Sequence, residues 1–170
     1  MCPLFWSMTD EEKVAYKVGI EEELVKRAVE QKVVTSRDDA VVRDLLPSTD
    51  FGDTNEVWTQ SLTANTYVST YTPTPDSKKV IAIYGVKNAN ATPITTVIKF
   101  GLGAGPAKVK DLWGVEPAWL ELNTEALTSE PIIYNKEERV TIQQYSSATA
   151  TDNVLFLGLI CEPKGENVMQ

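Results

Sequence analysis

The sequence lacks histidine altogether and has little cysteine. The absence of histidine from all 170 residues removes the commonest general base and the commonest transition-metal ligand. Catalysis by Ser-His-Asp or Cys-His groups is therefore excluded. The two cysteines, Cys2 and Cys161, are too few for a secreted disulfide scaffold, so we expect synthesis in a reducing compartment.

Long apolar runs and an excess of basic charge are also missing. No stretch reaches the roughly 18 apolar residues of a membrane span, and the short apolar run at residues 3–6 lacks the basic start of a signal peptide. The chain has 16 Lys and Arg against 24 Asp and Glu, a formal charge of −8. Because an acidic surface repels phosphate backbones, we expect no nucleic-acid partner. Because a membrane span is missing, we expect a soluble protein with no membrane partner.

Residues 1–36 have the pattern of an N-terminal helical arm. Thr9 and Glu12 have the spacing of a capping box, which predicts that a helix starts there. Apolar residues then follow at helical spacing and should fade near residues 31–35. The stripe is formed by Val14, Val18, Val25 and Val29 and is widened by Leu24 and Ala28.

Residues 37–163 change to the pattern of a β domain, and residues 164–170 form a polar tail. Short apolar or alternating runs are separated by turn residues every ~8–12 positions, which predicts a mainly β protein with an antiparallel β-sandwich. A jelly-roll-like topology is the leading prediction and an immunoglobulin-like sandwich is the alternative. Segments 79–87 and 154–161 are apolar on both alternating faces, which predicts central strands covered from both sides. The other predicted strands are 40–46, 56–62, 67–72, 94–102, 119–122, 131–134 and 139–145.

The acidic residues and the glycine-rich segment do not form a recognisable catalytic or ligand-binding motif. The segment 101–106 is glycine-rich but no crossover helix follows it, so it is interpreted as a loop at a strand end. We interpret Asp50, Asp53 and Asn55 as a capped turn, not a calcium loop. The carboxylates that a glycosidase would need are interpreted as solvated surface groups: Glu116, Glu121, Glu125, Glu130, Glu137 and Glu138. We therefore predict no catalytic residue, no cofactor and no metal ligand, and the protein is expected not to be an enzyme.

The aromatic residues leave two interpretations open. They either fill the core or a subunit interface, or they form a stacking platform for carbohydrate. The residues concerned are Trp58, Tyr67, Tyr71, Trp113 and Trp119. Cys161 lies in an apolar segment and is predicted to be a buried small hydrophobe.

The arm also has two interpretations. It either folds back over one face of its own sandwich or packs on a neighbouring subunit, as helix-in-groove contacts do. In the second case the interface residues are Phe5, Trp6, Val14, Val18, Leu24, Val25 and Val29. Aromatic residues such as Trp6 are favoured anchors at such contacts.

Several segments of the β region resemble a known class of proteins. Residues 41–47 (VVRDLLP), 81–87 (IAIYGVK), 97–103 (VIKFGLG) and 154–163 (VLFLGLICEP) are similar to small virion structural proteins of tailed bacteriophages, in particular capsid cement or decoration proteins. The resemblance implies a β-sandwich with a terminal arm, forming dimers or trimers that bind neighbouring major capsid proteins. It also implies a place on the capsid surface after synthesis in the host cytoplasm. A carbohydrate- or receptor-binding module is the alternative function.

Overall fold

The computed structural model describes residues 4–5, 8–51, 53, 57–71, 78–103, 108–116 and 125–166. The helices in these residues are α1 (Asp10–Glu30), a 3-10 turn (Arg37–Asp39) and α2 (Pro47–Phe51). The strands are β1 (Leu4–Phe5), β2 (Ala40–Asp44), β3 (Trp58–Leu62), β4 (Tyr67–Tyr71), β5 (Val80–Asn88), β6 (Thr95–Leu102), β7 (Lys108–Gly114), β8 (Glu125–Tyr134), β9 (Val140–Ser146) and β10 (Ala150–Pro163).

The strands form two antiparallel sheets. Sheet A has the order β1-β8-β5-β10-β2, and β3 also pairs with β10. Sheet B has the order β4-β9-β6-β7. Without β1 and β3, eight strands remain, and they can be numbered from one to eight in chain order. Sheet A then holds strands one, eight, three and six, and sheet B holds strands two, seven, four and five. This alternation is the strand order of a jelly roll, so the predicted antiparallel sandwich with an N-terminal helix is confirmed.

The core between the sheets is built around four large aromatic side chains. Trp58 of β3 meets Phe156 of β10 at a ring-centroid distance of 4.7 Å, and Phe100 of β6 meets Trp113 of β7 at 4.3 Å. Phe100 and Phe156 are 5.9 Å apart and join the two pairs across the sandwich. Edge-to-face and tilted contacts of this kind add to the stabilisation that burial alone provides. Trp58 and Trp113 are therefore core residues, which is the first of the two interpretations given for the aromatic residues.

Sheet A is apolar on its outer face as well, and α1 covers that face. Ile20, Leu24 and Ala28 of α1 are buried against Ala82 of β5 and Leu159 of β10. The helix contacts β10, β5 and β2. The prediction that β5 and β10 are covered on both sides is thereby confirmed.

A buried ion-pair network fixes the edge of sheet A to α2. Arg43 of β2 makes two hydrogen bonds to the Asp50 carboxylate, at 2.8 Å and 2.6 Å, and two to Glu162 of β10, at 2.9 Å and 3.4 Å. Asp50 also accepts a hydrogen bond from the Leu46 backbone N–H at 2.7 Å. Two buried carboxylates around one guanidinium raise the pKa of Arg43 further above its usual value. The predicted turn around Asp50 is thus the short helix α2, held by this network.

The strand predictions differ from the structure at several places, among them β1, which lies within the predicted helical arm, and β10, which begins at Ala150 and not at residue 154. β7 was not predicted, because its sequence KVKDLWG is rich in charge and it pairs only with β6. β8 begins at Glu125, well before the predicted segment 131–134. The predicted strand 119–122 lies outside the described residues.

Cys161 lies on the outer face of sheet A beneath α1. Its side chain is fully buried with Leu24 and Ala28, which confirms the prediction of a small buried hydrophobe. Burial, followed by the nearby charge of Glu162, raises the pKa of the thiol to about 11.

The contact between α1 and sheet A predicts that Leu24→Ala destabilises the protein strongly. Leu24 is 0% exposed, so truncation leaves a cavity and should lower the free energy of unfolding by about 2–5 kcal/mol. Lys26→Ala on the exposed face of the same helix is the control and should change it by less than about 0.5 kcal/mol. Urea denaturation followed by circular dichroism measures both. Equal effects of the two changes would contradict the placement of α1.

The burial of Cys161 predicts that its thiol resists alkylation in the folded protein. A raised pKa keeps the thiol protonated, so at pH 8 its thiolate fraction should be roughly a hundredfold below that of a free cysteine. A variant in which Cys2 is replaced by serine leaves Cys161 as the one thiol to follow with iodoacetamide. Labelling should be negligible in buffer and complete in denaturant. Fast labelling of the folded protein would show that α1 leaves sheet A readily.

Candidate interaction surface on the first helix

The start of α1 is fixed by its own capping residues. The Glu12 backbone N–H donates to the Thr9 Oγ1 at 3.3 Å, and the Thr9 backbone N–H donates to the Glu12 carboxylate at 2.8 Å. This confirms the predicted capping box. The hydrogen bonds from the Thr9 backbone and side chain lower the pKa of Glu12. The backbone N–H groups of Thr9 and Glu12 are thus satisfied within the helix start itself.

The C-terminal half of α1 carries three of the residues predicted to contact another chain. Leu24 is fully buried against the chain's own sheet A, and Val25 and Val29 pack partly against the same cluster. These three residues therefore stabilise an intramolecular contact. Of the two interpretations of the arm, the structure places this half of the helix on its own sandwich.

The N-terminal half of α1 is held to sheet A mainly by polar contacts. The Tyr16 hydroxyl donates to the Thr128 carbonyl of β8 at 2.7 Å. Lys17 pairs with Asp44 at the end of β2 at 2.8 Å, and Lys13 lies 3.8 Å from Glu125 at the start of β8. These contacts tie the helix to both sides of the sheet, so its direction is set although few of its side chains are buried here.

A groove runs between this half of α1 and sheet A. It contains two adjoining cavities of about 230 Å³ and 330 Å³, both lined by Lys17, Tyr84, Glu125 and Leu157. Burial, and then the charges of Asp44 and Glu125, raise the pKa of the Tyr84 hydroxyl to about 12. The hydroxyl is thus neutral at physiological pH, and the groove has an apolar floor between two ion pairs.

The outward face of the same half of α1 leaves apolar side chains in solvent. Val14 is 63% exposed and Val18 is 47% exposed. Glu11 and Glu22 lie on the same side of the helix, one turn beyond each end of the valine pair, and both are exposed. We call the row Glu11, Val14, Val18 and Glu22 the helix stripe. It is an apolar centre with an acidic group at each end.

The remaining residues predicted to lie at an interface are only partly described. Phe5 belongs to β1, where its backbone pairs with Leu127 of β8. Trp6 lies outside the described residues. Three residues that were considered for other roles also lie outside them: Trp119, Glu121 and Asn55. The side chain of Tyr71 also lies outside them.

The glutamates considered for a glycosidase are surface groups or partners of lysines where the structure describes them. Glu138 lies 3.1 Å from Lys110 and also accepts the Asn135 backbone N–H at 2.9 Å. Glu116, Glu130 and Glu137 are exposed. Within the described residues, no three metal-ligating side chains come close enough together to hold an ion. In the same residues, no helix combines the length and the apolar character that a membrane crossing needs.

Comparisons with known proteins include a distant structural similarity. No protein-family model matches the sequence, and no curated protein sequence matches it. A chain from a structure of Bacillus endospore appendages, described as a family of disulfide-linked pili, is similar with a TM-score of 0.39 and 15% sequence identity. The similarity covers 73% of this chain and 88% of that chain. That structural neighbour is thus a structural protein of an appendage.

Proposed function

We propose that the chain is a structural subunit that binds neighbouring protein subunits through the helix stripe. The observation that carries this proposal is the exposure of Val14 and Val18 on a helix whose other half is already buried. Large apolar side chains that stay exposed in a row on a rigid element are typical of protein–protein contacts. The groove beside them offers further apolar area for a partner.

The helix stripe is held in place before any partner binds. The capping box at Thr9 and the contacts of Tyr16 and Lys17 hold the N-terminal half of α1 in one orientation. A partner then meets a helix that is already ordered, so little conformational entropy is lost on binding. A preformed surface of this kind supports a role in assembly.

In its more specific form, the proposed role is that of a capsid cement or decoration subunit of a tailed bacteriophage. Its support is the sequence resemblance of residues 41–47, 81–87, 97–103 and 154–163. The proposed partners are neighbouring major capsid proteins and further copies of the chain, as a dimer or trimer. Many copies on a capsid surface would add up modest single contacts through avidity. The proposed place of action is the virion, after synthesis in the host cytoplasm.

The proposed role is non-enzymatic. A chain without histidine lacks the commonest general base, and Glu125 and Glu138 lie beside Lys13 and Lys110. The alternative of carbohydrate binding loses two of its five aromatic candidates, because Trp58 and Trp113 are buried in the core. A third, Tyr67, has Lys99 Nζ 3.8 Å from its ring centre, so the lysine occupies one ring face.

The proposal predicts that the wild-type protein self-associates and that Val14→Ser combined with Val18→Ser weakens the association at least about tenfold. Serine and valine have similar helix propensities, so the helix itself should be unaffected. The dissociation constant is measured by analytical ultracentrifugation over a concentration series. Lys26→Ser, an exposed change elsewhere on α1, is the matched control. A double variant that associates like the wild type would contradict the role of the helix stripe.

A further inference from the structure

The outer face of sheet B is the second surface to consider, because Tyr67 and Val109 lie exposed at its margins, whereas Thr141 and Gln143 near its middle are buried. Its orientation follows from the strand register. Val68, Gln144, Ile98 and Trp113 form one row across the four strands, and the last three are fully buried in the core. Side chains of a strand alternate between the two faces, so the neighbouring rows point away from the core.

Three rows make up this outer face. The first is Tyr67, Tyr145, Val97 and Gly114; the second is Ser69, Gln143, Lys99 and Leu112; the third is Thr141, Gly101 and Val109. We call these residues the sheet B face. Tyr67 is 38% exposed and Val109 is 47% exposed. Together with the two valines of α1, they are the exposed large hydrophobic residues of the described chain.

The composition of the sheet B face is unusual for this protein. The chain has 24 Asp and Glu, yet none of them is in the three rows, and the charged residue there is Lys99. Tyr67 and Tyr145 lie with ring centroids 5.1 Å apart, and Lys99 Nζ lies over the Tyr67 ring. Tyrosine enrichment with few charged groups is typical of the centre of a protein–protein interface.

The helix stripe and the sheet B face match each other in charge. The stripe has an apolar centre between Glu11 and Glu22, whereas the sheet B face has an apolar and aromatic surface that carries Lys99. In such a contact the glutamates of the stripe would approach Lys99. The valines of the stripe would pack against the tyrosine and valine side chains of the sheet B face.

The two surfaces also match in size, and they lie on opposite sides of the molecule. From Glu11 to Glu22 the stripe is about 17 Å long at 1.5 Å per residue. Four strands spaced about 4.8 Å apart give the sheet B face a width of about 14 Å. Since α1 lies on the outer face of sheet A, the same chain cannot bring its own stripe and its own sheet B face together.

We propose that the helix stripe of one copy docks on the sheet B face of a second copy. The inference rests on the proposed function, because it names the partner of the same helix stripe. The two surfaces differ, so the contact is head to tail, and repetition gives a closed ring such as a trimer or an open chain. A symmetric dimer through either surface alone is not the assembly expected.

The test mixes two variants that each lose one surface. The helix variant carries Val14→Ser with Val18→Ser, and the sheet variant carries Tyr67→Ser with Val109→Ser. Each alone should associate at least about tenfold more weakly than the wild type. An equimolar mixture should form a 1:1 pair of twice the 18.8 kDa chain mass, because the sheet variant keeps its stripe and the helix variant keeps its sheet B face. Sedimentation velocity measures these species.

The outcomes separate failure of this inference from failure of the proposed function. If the helix variant loses association while the sheet variant associates like the wild type, the stripe is used but the sheet B face is not, and the inference alone is overturned. If neither variant changes the association, or if the wild type is a monomer at about 1 mM, the inference is overturned together with self-assembly through the stripe.

Two further variants separate the contribution of the Tyr67 ring from that of the Lys99 charge. Circular dichroism and the unfolding midpoint of each variant should match the wild type, and Tyr67→Phe, which keeps the ring, should keep the association. Lys99→Gln should make the association weaker and less sensitive to salt, because the attraction to Glu11 and Glu22 is removed. A Lys99→Gln protein with unchanged affinity and unchanged salt dependence would overturn the pairing of the two surfaces.

Discussion

The apolar character of sheet A on both faces is the constraint on which the rest of the structure depends. One face of β5 and β10 forms the sandwich core with sheet B, and the other face would lie in water if nothing covered it. Ile20, Leu24 and Ala28 of α1 provide that cover. The helix is therefore part of the domain and not a separable appendage, since removing it would expose Val80, Ala82, Leu159 and Cys161.

The same constraint decides which part of α1 is free to meet a partner. The helix is longer than the apolar area that it covers, because its buried side chains begin only at Ile20. Before that point, Tyr16, Lys17 and Lys13 make polar contacts to the sheet, and Val14 and Val18 stay exposed. One helix thus stabilises the fold with its second half and offers a surface with its first half. Point changes in the first half can test the surface without disturbing the fold.

Much of the fold could be predicted because local patterns report it directly. The spacing of Thr9 and Glu12 indicated the helix start, and the runs at 79–87 and 154–161 indicated strands covered on both sides. The separation of Leu24 from Val14 and Val18 could not be predicted, because helical spacing identifies an apolar stripe but not the part of it that lies over a sheet. The sheet B face needed the cross-strand register, which joins residues as distant as Tyr67 and Tyr145. β7 was missed because an edge strand with one neighbour can be rich in charge.

The position of the charges limits how copies of this protein can associate. A twofold contact between two helix stripes would bring the Glu11 and Glu22 carboxylates of one copy near those of the other, and like charges brought together oppose association. With a formal charge of −8, the chain also repels its own copies at long range. A surface that lacks carboxylates and carries a lysine reduces that repulsion locally. The sheet B face has this composition in its three rows, so the charge distribution favours contact between unlike surfaces over contact between like ones.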